Sequence, residues 1–98
     1  MSGDENGILS VLIARIPVSG VAAFTAYEDQ VLPLLAEHGG VLQRRLRSDD
    51  GQTEVHLVWF PSMVQHDRYR ADPRRAAHAH LMAQSGASTE LLRLQDVA

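Results

Sequence analysis

Apolar positions along the chain switch between a spacing of two and a spacing of three to four, and each switch marks an element. Residues 8–16 form a short run rich in Leu and β-branched side chains, closed by Pro17, Ser19 and Gly20, which predicts a strand. Val21, Phe24, Tyr27, Val31, Leu34, Leu35 and His38 then recur at helical spacing, up to Gly39-Gly40, where a left-handed residue is easily accommodated. Pro33 lacks the amide hydrogen that the helical ladder needs, so a kink or break is expected just before Leu34. Residues 41–48 and 54–60 are extended runs around Asp49-Asp50-Gly51-Gln52, and the Asp-Gly step predicts a hairpin. Ser62 with Gln65 fits a capping box that opens a helix carrying Met63, His66, Tyr69 and Arg70. Asp72 as cap and Pro73 in the first turn restart a helix that runs to about Gln84. Ser85-Gly86-Ala87 ends it, and residues 89–97 supply a fourth strand.

The order βαββαβ, with right-handed crossovers, predicts an α+β ferredoxin-like domain with a four-stranded antiparallel sheet in the order 4-1-3-2. Polarity agrees. The first and third strands are nearly all apolar, as central strands should be, whereas Arg44, Arg45, Arg47, Arg93, Gln95 and Asp96 mark the second and fourth as edges. Alternation sorts the strands into two sets. Leu9, Val11, Ile13, Leu42, Leu46, Val55, Leu57, Trp59, Leu92 and Leu94 form an apolar set, interrupted by Arg44, which is expected to meet the helices. Ser10, Leu12, Ala14, Gln43, Arg45, Arg47, Glu54, His56, Val58, Leu91, Arg93 and Gln95 form a mixed set, and a second subunit is expected to cover it.

Length sharpens that expectation of pairing. A chain of 98 residues reads as one domain over residues 8–98, behind a polar lead over residues 1–7 that is expected to be disordered. So small a core gains from burying an apolar sheet face in a homodimer. All nine basic side chains are Arg, and the net charge of -3 argues against a nucleic-acid partner. With no Cys, thiol chemistry is excluded, and no apolar stretch approaches the roughly 20 residues of a membrane span. The lead lacks the basic start and apolar middle of a secretory signal, so the cytoplasm is the expected location.

Among candidate chemical groups, His56 on a central strand, two residues from Glu54, fits a catalytic acid or base. A buried histidine satisfied by internal hydrogen bonds is the structural alternative. Arg45 and Arg93 offer paired planar donors for a carboxylate or enolate oxygen, or salt bridges to Glu54. Tyr27, Tyr69 and Trp59 are candidates to line a pocket between helices and sheet, although rings at such spacings also serve as core. His38, at a helix C-terminus, is explained by the helix dipole. His78 and His80 lie about 200° apart around a helix and cannot share a metal, so no metal site is expected.

Phe24-x-x-Tyr27, Leu34-Leu35-x-x-His38-Gly39-Gly40, Val55-x-Leu57-x-x-Phe60-Pro61-Ser62 and Tyr69-x-x-Asp72-Pro73 together resemble the dimeric α/β barrel superfamily. Within it the chain is most similar to short bacterial domains of unknown function, and more distantly to antibiotic-biosynthesis-type monooxygenases. The resemblance implies a homodimeric barrel and a fold that hosts cofactor-free monooxygenases, cyclases, isomerases, haem-degrading enzymes and proteins with no known activity. The haem-degrading type carries an Asn, Trp and His set, from which this chain departs because its only Asn is Asn6 in the lead, so haem chemistry is not expected, nor is any cofactor. Two functions remain open: a small-molecule enzyme or binder built around His56, and a non-catalytic dimeric module.

Overall fold

The computed structural model describes residues 7–97. Strands β1 (Ile8–Arg15), β2 (Val41–Arg47), β3 (Thr53–Phe60) and β4 (Ser88–Leu94) form one antiparallel sheet in the order β2-β3-β1-β4. This is the predicted order, read from the opposite edge. Helices α1 (Val21–Val31), α2 (Met63–Arg70), α3 (Pro73–Ala77) and α4 (Ala79–Ser85) fill the crossovers. Together these are the elements of an α+β ferredoxin-like fold. Of the lead expected to be disordered, residues 1–6 lie outside the described residues.

Local chemistry explains the helix boundaries. α1 stops at Val31, and the chain tightens into 3-10 turns over Leu32–His38, with Pro33 in the first turn, where its missing amide hydrogen costs nothing. Gly39 closes this segment with φ 73°, and the Gly40 amide donates to the Leu35 carbonyl at 2.8 Å. The Ser62 hydroxyl accepts from the Gln65 amide at 3.2 Å, and the Asp72 carboxylate accepts from the Arg74 amide at 2.9 Å. The single helix expected from Pro73 to Gln84 is two, because His78 leaves the helical region at φ -108°, ψ 6°. His38 does more than face a helix dipole: its Nε2 lies 2.8 Å from Asp72 Oδ2 and so ties the end of the 3-10 segment to the start of α3.

The two sheet faces separate as alternation requires, but their partners are the reverse of those expected. Ser10, Ala14, Glu54, His56, Val58 and Phe60, members or neighbours of the mixed set, are buried, whereas of the apolar set only the central Val11 is. They lie under Phe24, Tyr27, Val31, Leu34 and Leu35, so the mixed face belongs to the chain's own helices and not to a second subunit. A homodimer through the mixed face is thereby ruled out. The apolar set forms the open side, where Val41, Leu46, Leu92 and Leu94 are exposed. The polar residues that suggested an interface pair with one another inside the fold, which makes their burial tolerable. A bulge at Gln43 shifts the alternation within β2: Leu42 pairs with Val58 on the helix side, while Arg44 pairs with Leu57 on the open side.

Candidate functional site

The α1 stripe Phe24, Tyr27, Glu28 and Val31 is fully buried and carries one carboxyl among apolar groups. Beneath it, β3 presents His56 between Leu12 of β1 and Arg45 of β2, and Glu54 between Ala14 and Arg47. His56 Nδ1 lies 3.3 Å from Glu28 Oε2, and His56 Nε2 lies 2.9 Å from Glu54 Oε1. Arg45 Nε donates to Glu54 Oε1 at 2.9 Å, and Arg47 Nε donates to Glu54 Oε2 at 2.7 Å. Glu28, Glu54 and His56 are 3%, 1% and 2% exposed, so these contacts form away from bulk water.

The two carboxyls are driven in opposite directions. Burial opposes the charge on Glu54, but hydrogen bonds from Arg45, His56 and Arg47 outweigh it and bring its pKa down to about 2. Glu28 has no such donors. Burial pushes it up to about 7, against the attraction of Arg45 and Arg75 and with the repulsion of Glu54 and Asp29. Burial likewise lowers His56, partly offset by its bond to Glu54. An ionised Glu54 only accepts, so His56 carries a proton on Nε2, and its Nδ1, facing Glu28, is the site where a second proton comes and goes.

Glu28 and His56 open onto a cavity of about 220 Å3 between the helices and the sheet. Tyr27, Phe60 and Tyr69 supply aromatic walls, and Leu12, Leu91 and Met82 an apolar side. Burial pushes the Tyr69 phenol up to about 12, so it stays protonated and donates to the Val31 carbonyl at 3.4 Å. Arg75 lines the mouth with its guanidinium carbon 4.5 Å from the Tyr69 ring centroid and 6.0 Å from that of Tyr27.

Of the residues singled out in the sequence, the cavity gathers His56, Tyr27 and Tyr69. Arg45 stands behind the cavity, bonded to Glu54. Arg93 is exposed on edge strand β4, its Nη1 3.4 Å from Met63 Sδ, and is outside the lining. Trp59 points to the open face, beside Gly7, Leu9 and Leu94. The alternation that put Trp59 and His56 in different sets already separated them. Glu28 escaped notice, although its place four residues after Phe24 in the apolar stripe was a signal. Arg75 carried no comparable signal. Among the described residues no group of three or more His, Cys, Asp or Glu side chains is arranged to hold a metal ion, and no helix is long and apolar enough to cross a membrane.

In fold, the chain is ferredoxin-like, and the solved structures it is similar to include antibiotic-biosynthesis monooxygenases, the more distant of the resemblances seen in its sequence. SnoaB, a cofactor-independent oxygenase from Streptomyces nogalater, superposes with a TM-score of 0.78 at 17% identity, covering 95% of each chain. A Caulobacter crescentus protein assigned to the antibiotic biosynthesis monooxygenases gives 0.75 at 14% identity, covering 95% of this chain and 92% of its own. Rv0793 from Mycobacterium tuberculosis gives 0.67 at 21% identity, covering 95% and 99%. No protein-family model matches the chain, and no curated protein matches its sequence.

Proposed function

We propose that the protein is a cytoplasmic homodimer that binds a small organic molecule in the cavity beneath α1 and moves a proton on it without a cofactor. One observation carries this reading: a carboxyl with a pKa of about 7 and a neutral imidazole meet at the wall of a cavity, where a general base poised near the working pH is most effective. In the state with Glu28 ionised and His56 Nδ1 empty, the pair takes up one proton. A substrate C–H or O–H bond breaks, its electron pair stays on the substrate, and the proton goes to the Glu28 carboxylate or across to His56 Nδ1. Glu54, held ionised by Arg45 and Arg47, balances the imidazolium in the second case. The cofactor-independent oxygenase SnoaB shares the fold and supports a cofactor-free reading. Pairing is through the open face, where Val41, Leu46, Leu92 and Leu94 are exposed beside the edge charges of Arg44 and Glu90.

A second reading, a non-catalytic dimeric module, draws on a different observation: among the described residues every buried side-chain N or O atom has a partner. Native mass spectrometry of gently purified protein tests both. A dimer carrying a stoichiometric small mass that His56→Ala removes supports the first reading. A bare dimer favours the module, and a monomer at micromolar concentration refutes pairing through the open face.

A further inference from the structure

Resting on the reading of the cavity as a small-molecule site, the geometry points further, to the chemical class of its occupant. We propose that the ligand is a compact organic anion whose carboxylate is held by Arg75, with Arg70 beside it at the mouth, and whose unsaturated or aromatic body lies against Tyr27, Tyr69 and Phe60.

The arginines of this chain divide by what holds them. Arg45 and Arg47 are held by Glu54, and Arg74 by Asp72 and Glu37, so these guanidiniums are already engaged by carboxylates of the chain. Arg75 is half-buried, lines the cavity and makes no ion pair among the described residues. Its guanidinium carbon sits 4.5 Å from the Tyr69 ring centroid, and although one N–H is engaged by the Tyr69 phenol, a guanidinium carries five, so others remain for a carboxylate. Arg70 also lines the cavity and is likewise free of ion pairs among the described residues. Glu28 is the one acidic side chain among the described lining residues, and with its carboxyl pushed up to about 7 it repels an anion only in its ionised fraction.

Volume limits the occupant. About 220 Å3 falls below the roughly 300–1,000 Å3 of sites for drug-sized ligands, which suits one ring or a short unsaturated chain. With its carboxylate at Arg75, such a molecule presents its interior end to Glu28 and His56. An anion at Arg75 also offsets a cation that attracts charge onto Glu28, whose other charged neighbours are Arg45 of β2, Glu54 of β3 and Asp29 of its own helix. Binding near neutral pH is therefore accompanied by proton uptake.

Isothermal titration of the intact protein with a panel of carboxylates, benzoate and short unsaturated acids among them, each beside its amide, tests this at neutral pH. The expected result is that at least one acid binds about tenfold or more tightly than its amide, the free energy of one charge-assisted hydrogen bond. Arg75→Gln should erase that preference, the acid losing about tenfold more affinity than its amide, and Arg75→Lys should retain part of it. Amides that bind as tightly as the acids, or a preference that survives Arg75→Gln, overturn the anion and leave the cavity reading standing. Failure of every panel member to bind at millimolar concentration overturns both.

Discussion

Replacing Glu28 by Gln removes one ionisable proton from the buried site and keeps the shape of the side chain. The wild-type carboxyl ordinarily titrates at 4.5 and in the fold at about 7, so between these values the native state binds more protons than the unfolded state. Its stabilising contribution is complete below pH 4.5 and is lost as pH rises to about 7. At about 1.4 kcal/mol per pH unit, the gap amounts to about 3 kcal/mol. His56, lowered by burial, acts in the opposite sense below 6.5, but it is present in both proteins and largely cancels in the comparison. Glu54 titrates near 2, outside the window. Urea unfolding followed by circular dichroism, at fixed protein concentration from pH 4.5 to about 8, should show Glu28→Gln gaining about 3 kcal/mol on the wild type, nearly all of it below pH 7. A difference that does not change with pH would refute the argument that Glu28 is buried without compensating donors.

Two further substitutions probe the frame around the site. Glu54→Gln removes the charge that Arg45 and Arg47 share, and it should cost about 3 kcal/mol in chemical denaturation, the low end for a broken buried pair because both guanidiniums keep some access to water. A cost near zero would mean that the arginines are indifferent to Glu54 and that nothing fixes the His56 tautomer. Gly20→Ala would place a methyl group 1.8 Å from the Ser85 carbonyl oxygen, backbone against backbone where α4 ends beside the start of α1. It should destabilise by about 1–3 kcal/mol or more and lower Tm by several degrees, and an unchanged Tm would show that the two helix ends separate freely.

The amino-acid sequence by itself determined the elements and their order. Period and punctuation are local properties: Pro33 and Gly39 set the 3-10 segment, Asp50-Gly51 the hairpin, and Ser62 and Asp72 the helix starts. The β-branched centre and arginine-rich edges then left one sheet order. Alternation separated His56 from Trp59, but which side the helices cover is not a local property. It follows from whether polar groups on one face can satisfy one another, and here the partners of His56 include, besides Glu54, a carboxyl from α1, distant in sequence. For the same reason Glu28 and Arg75 became visible as site residues only in three dimensions. The bulge at Gln43 moved Leu42 to the helix side and left Arg44 on the open side, although strict alternation had placed both on one face. Tertiary structure decided how the site is assembled because burial, and the charges that burial shifts, depend on neighbours that the chain brings together only when it folds.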